Sequence, residues 1–98
     1  MKHIFATPFE FEGKKYEEIE MNLEGLKGED ISAVKRQYSA LGLFSPLPTT
    51  DSDFCALILA RQAKLPIEFF NELPAREYCL ITQKVSNFLS YSLNFPPI

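Results

Sequence analysis

Tryptophan is absent from this chain, histidine occurs once, and no run of Lys or Arg is present. Each shortage excludes something. With one histidine, a Ser-His-Asp or Cys-His set could be assembled only through His3, and a residue so near the terminus is expected to fray, a poor seat for a general base. Ten Lys and Arg stand against thirteen Asp and Glu, for a formal charge of −3. A phosphate backbone or an anionic membrane surface therefore finds little to bind, and neither nucleic acid nor membrane is an expected partner. The four glycines are scattered and form no phosphate loop. Two cysteines, Cys55 and Cys79, form no CxxC and have no His cluster nearby, so no metal, cofactor or small-molecule substrate is indicated. Both fall in apolar helical patterns and read most simply as free, buried thiols, with a disulfide or a nucleophile as the lesser readings. Asp51 and Asp53 look like the start of a calcium loop, but the later ligands are missing, and helix capping is the simpler role. The longest apolar stretch, Phe54 to Ala60, stops at Arg61 and is too short to cross a bilayer. The opening residues lack the apolar core of a signal peptide, which points to the cytoplasm. Taken together, the shortages favour a protein that is not an enzyme.

What is present is a surplus of aromatics, nine Phe and four Tyr in 98 residues, a length that fits one domain spanning 1–98. Phe5, Phe9 and Phe11 share a parity, and Pro8 among them suggests an edge strand. Gly13 suits a tight turn, and residues 18–23 alternate polar with apolar. This predicts a β-hairpin over 4–24, with Ile19, Met21 and Leu23 packed on something else, because a lone hairpin is marginal in water. The period then changes. Ile31, Val34, Tyr38 and Leu41 form a helical stripe, with Glu29 and Asp30 in the first turn and Gly42 after the end. Helices are expected at about 29–41, 52–64, 67–72 and 74–91, the second opened by a Thr50–Asp53 capping box, with an extended tail over 93–98. The fold class is α+β, mainly α: an N-terminal β-hairpin followed by three helices and a short helical turn.

The core needs fewer apolar residues than the chain supplies. The hairpin offers Phe5, Phe9, Phe11, Ile19, Met21 and Leu23; the helical stripes offer Ile31, Val34, Tyr38, Leu41, Phe54, Leu57, Ile58, Ile81, Val85, Phe88 and Leu89. What remains sits in the proline-rich loop, the short 67–72 piece and the tail. Leu43, Phe44, Leu47, Phe69, Phe70 and Phe95 are thus the candidates for contact with a partner protein or a second copy, with one of Phe69 and Phe70 expected to join the core instead. For Leu43 and Phe44 the plainer alternative is closure over the core.

Five segments, taken in order, suggest a family: Pro8-Phe9-Glu10-Phe11-Glu12-Gly13-Lys14-Lys15-Tyr16 with Ile19-Glu20-Met21-Asn22-Leu23; Leu26-Lys27-Gly28-Glu29-Asp30-Ile31; Ala60-Arg61-Gln62-Ala63-Lys64-Leu65-Pro66; Leu73-Pro74; and Val85-Ser86-Asn87-Phe88-Leu89. From about residue 8 to 90 the chain resembles the tail assembly chaperones of long-tailed bacteriophages. Where that family often carries an aspartate near the start of the last helix, this chain has Glu77. The resemblance implies a protein that binds the tape measure protein, keeps it soluble and assists polymerisation of the tail tube protein, with homo-oligomerisation possible. It also implies work in the host cytoplasm and absence from the mature virion. A structural or connector protein of the particle, or a regulatory adaptor, are the alternative readings.

Overall fold

The computed structural model describes residues 2–94, with side chains described through Leu89. Its order is β1 (Lys2–Phe11), β2 (Lys14–Glu20), α1 (Gly28–Ala40), α2 (Ser52–Ala63), α3 (Ile67–Asn71) and α4 (Ala75–Asn94), with single 3-10 turns at Leu23–Gly25 and Pro48–Thr50. This is the small α+β, mostly helical architecture expected, hairpin first.

Glu12 and Gly13 form the two-residue turn at φ of 50° and 80°. Positive φ at both positions gives the twist that matches antiparallel strands. The strands pair Lys2 with Glu20 through Ile4 with Glu18, and Phe9 with Tyr16 through Phe11 with Lys14. Between those stretches, residues 5–8 of β1 face Glu17 alone, a bulge. Pro8, which cannot donate to a ladder, lies inside it. The bulge also frees the Ala6 N–H, which turns to α4.

The hairpin's apolar face lies on the helices, with Phe5, Phe11, Ile19, Met21 and Leu23 all buried. α2 is the centre of the molecule. Every residue from Phe54 to Ala60 is at most 8% exposed, and a helix apolar on all sides must be enclosed. α1, α3, α4 and the Pro48–Thr50 turn pack around it. Asp51, not Thr50, caps α2: its carboxylate accepts the Asp53 N–H at 2.9 Å. Lys64 ends the helix in the left-handed region, and the Leu65 N–H returns to the Ala60 carbonyl at 3.0 Å, turning the chain into α3.

Three expectations fail on burial. Phe69 and Phe70 both join the core at 0% exposure and are not a surface. The α2–α3 turn delivers Phe69 against Phe9, Phe11, Tyr16 and Phe70, with ring centroids 4.8 to 5.3 Å apart and edges turned to faces. Leu41 falls just past α1 and is 58% exposed. Cys79 is exposed rather than buried. Glu77, Ile81 and Val85 mark the inner face of α4 at a spacing of four, and Cys79 stands two residues from Glu77 and from Ile81, on the outer side. α4 also runs through Asn94, so 93 and 94 are helical; the rest of the expected tail lies outside the described residues.

The cysteines give a simple check. Both are free. Burial, with the charge of Asp51 second, pushes the Cys55 thiol up to about 12. In native protein Cys79 should label rapidly with a thiol reagent, while Cys55 waits for opening of the core and labels orders of magnitude more slowly. Equal rates measured by mass spectrometry would contradict this packing.

Candidate functional site

The loop between α1 and α2 is apolar and open to solvent. Phe44 is 86% exposed, Leu47 64% and Leu41 58%, within seven residues of chain. Leu43 is half-buried and packs against the core. The reason lies in the sequence: Pro46 and Pro48 forbid a helix, so the stretch has no periodic face to turn inward.

The loop is nonetheless held at both ends. Gly42, at φ 80°, ends α1, and the Leu43 N–H bonds the Tyr38 carbonyl at 3.2 Å. On the far side the Thr50 hydroxyl donates to the Leu47 carbonyl at 2.8 Å. The Tyr38 hydroxyl donates to Asp51 Oδ2, tying α1 to the cap of α2. That hydrogen bond, with burial behind it, pushes the Tyr38 phenol up to about 12. The Tyr78 hydroxyl of α4 donates to Asp53 Oδ1 at 2.8 Å, and burial, then this bond, raises the Tyr78 phenol as well. Both tyrosines are therefore fixed neutral donors at ordinary pH. The loop presents its side chains from a framed base.

A shallow groove of about 350 Å³ adjoins it, and a second of about 290 Å³ lies beside the first, sharing Asp53, Asn71 and Tyr78. Leu41, Leu43 and Ile67 wall the larger; Leu73, Ala75 and Cys79 wall the smaller. Their charged residues are Asp53 and Glu68, and neither groove includes a Lys or Arg. Of the six sequence candidates, Phe44 and Leu47 stand exposed on the loop, and Leu43 walls the larger groove beside Leu41, Ile67 and Tyr78. Phe69 and Phe70 belong to the core, and Phe95 lies outside the described residues.

His3 contradicts the expectation of a frayed end. It is 4% exposed, with Nε2 2.8 Å from Glu77 Oε1 and Nδ1 2.9 Å from Lys84 Nζ. An ammonium can only donate, so Nδ1 accepts and Nε2 carries the proton toward Glu77. The second Glu77 oxygen accepts the Ala6 N–H at 2.8 Å. That backbone bond first, and His3 beside it, hold the Glu77 carboxyl below its ordinary range. The cluster ties the first strand to the last helix. A second tie joins α1 to α2: Asp30 accepts the Lys27 N–H at 2.9 Å and Arg61 Nε–H at 2.8 Å. Arg61 foremost, then Lys27, lowers the Asp30 carboxyl.

Among the described residues no group of three or more His, Cys, Asp or Glu is placed to hold a metal ion, and no helix is long and apolar enough to cross a membrane. No family model, curated protein or solved structure matches the chain.

Proposed function

We propose that this protein is a binding module that chaperones phage tail assembly, covering apolar segments of the tape measure protein until the tail tube protein encloses them. The observation that carries the reading is the exposure of Leu41, Phe44 and Leu47 on one tethered loop. Large apolar side chains concentrated on one exposed loop suit a protein interaction surface. A chaperone needs such a surface to be adaptable, and Leu and Phe supply contact without fixed hydrogen-bond geometry. The acidic rim supplied by Asp53 and Glu68 suits a client whose apolar residues are flanked by Lys or Arg. The choice of client rests on the resemblance of the ordered sequence segments to the tail assembly chaperones.

Co-expression tests the reading. The tape measure protein should stay soluble with this chain present and aggregate without it, and the chain should be found in lysates but not in purified particles. Stoichiometric recovery from particles would favour the connector reading instead. Insoluble tape measure protein in the presence of this chain would contradict the chaperone.

A further inference from the structure

The larger groove beside the 41–47 loop has an uneven chemistry. Leu41, Leu43 and Ile67 give it an apolar wall, which the Tyr78 side chain from α4 completes. Its polar side chains are mostly acceptors. Asp53 and Glu68 supply two carboxylates, and no Lys or Arg stands with them. The Tyr78 hydroxyl is already spent, since it donates to Asp53 Oδ1 at 2.8 Å. That bond holds the Asp53 carboxylate in place and leaves Oδ2 open. The Glu68 carboxylate makes no ion pair or hydrogen bond among the described residues. Asn71 alone has a side-chain N–H to offer.

These features select among occupants. An anion would face two carboxylates with almost nothing to donate to it. A wholly apolar group would cover the carboxylates and strip their water with no partner in return. A second copy of this chain docked face to face would bring two acidic rims together, with no cation in the groove to offset them. A long basic side chain meets none of these penalties. Its methylene stem can lie along apolar surface while its charged head stays at the wet rim. The head then forms charge-assisted hydrogen bonds to carboxylate oxygens, and a guanidinium can reach two at once. At about 350 Å³ the groove has room for one such chain.

We propose that this groove receives an arginine or lysine side chain of the client, with its stem against Leu43 and Ile67 and its cationic head at Asp53 and Glu68. The client's neighbouring apolar residues then lie on Phe44 and Leu47. Such a site belongs to the client-binding face proposed above and rests on that reading. It narrows the client segment to one class, apolar residues with a basic residue beside them.

Fluorescence anisotropy with three synthetic peptides tests the site. All carry the same Leu and Phe residues, and they differ in having arginine, its neutral isostere citrulline, or glutamate between them. At low salt the arginine peptide should bind about three- to tenfold tighter than the citrulline peptide, with the glutamate peptide weakest. Glu68→Lys should weaken the arginine peptide about tenfold and change the citrulline peptide less than about twofold. Glu24→Lys makes the same change in net charge at an exposed residue outside both grooves, and should shift either peptide less than about twofold. Melting curves verify each fold, and Glu68→Gln carries the test if the reversal does not fold. Phe44→Ser/Leu47→Ser should weaken all three peptides alike. Equal binding of the arginine and citrulline peptides, lost together in Phe44→Ser/Leu47→Ser, would overturn the basic-residue site and leave the loop standing. An arginine preference that Glu68→Lys abolishes, in a protein whose loop variant binds normally, would support the site and count against the loop. The proposal would also be overturned by a chain that binds none of the peptides, by a Glu24→Lys variant as damaging as Glu68→Lys, or by self-association that excludes the arginine peptide.

Discussion

Replacing Phe69 by alanine is expected to cost about 3–5 kcal/mol, the largest single loss in the protein. Phe69 is fully buried and four rings close on it, Phe9, Phe11 and Tyr16 from the hairpin and Phe70 from its own helix. Truncation removes the transfer energy of the ring and leaves a cavity lined by rigid aromatic edges, which collapse poorly. It also removes the contact that seats the hairpin on the helices, and a hairpin without a partner is barely stable. For a domain of this size each kcal/mol is worth about 4–8 °C, so the melting temperature should fall by more than about 10 °C. Phe69→Leu keeps most of the volume and should lose roughly half as much. A fall of less than about 1 kcal/mol for the alanine variant in denaturant titration would contradict the packing.

The second large effect belongs to Glu77. Glu77→Ala strands two donors at once, the Ala6 N–H and His3 Nε2–H, and removes the carboxylate opposite the Lys84 ammonium that bonds His3 Nδ1. The expected loss is about 2–3 kcal/mol, most of it the desolvation of groups left without a partner. Glu77→Gln keeps an acceptor for one donor and should cost less. The acid limb separates them further. The folded carboxyl titrates below its ordinary value of 4.5, so its stabilisation is complete above that pH and is lost as pH falls through the folded pKa. Wild-type stability should therefore drop more steeply below about pH 4.5 than that of Glu77→Gln, which has no proton to take up there. Asp30, also lowered, acts in both proteins and cancels in the comparison. Parallel acid limbs would show that Glu77 is not held as the geometry implies.

Periodic features were readable in the sequence. The hairpin turn forms at Gly13, and the α1 stripe of Ile31, Val34 and Tyr38 and the α4 stripe of Ile81, Val85, Phe88 and Leu89 pack on the core. These are local patterns whose physical meaning does not depend on distant residues. The failures have a different origin. The bulge at residues 5–8 breaks alternation and has no sequence period, so the Ala6 N–H could not be followed to its acceptor. His3 and Glu77 are 74 residues apart, and only tertiary packing joins them. A signal was present all the same: Glu77 precedes Ile81 by four on the inner face of α4, and His3 shares the parity of Phe5. A carboxylate at a core position asks for a buried partner. Counting spare apolar residues left one of Phe69 and Phe70 to the surface where both are buried, because the turn at Lys64 that folds α3 back under the hairpin comes from a non-glycine residue in the left-handed region. The same reasoning placed Phe44 and Leu47 on the surface, where no helical face could draw them inward.

The proposed client-binding surface is the 41–47 loop, and binding of the tape measure protein to Phe44→Ser/Leu47→Ser reads it directly. Both side chains are exposed, so the melting temperature should stay within about 2 °C of wild type. Loss of two apolar anchors should weaken the affinity by a factor of about ten to a hundred in a titration with purified client. Unchanged affinity in a variant that melts normally would contradict the loop's role.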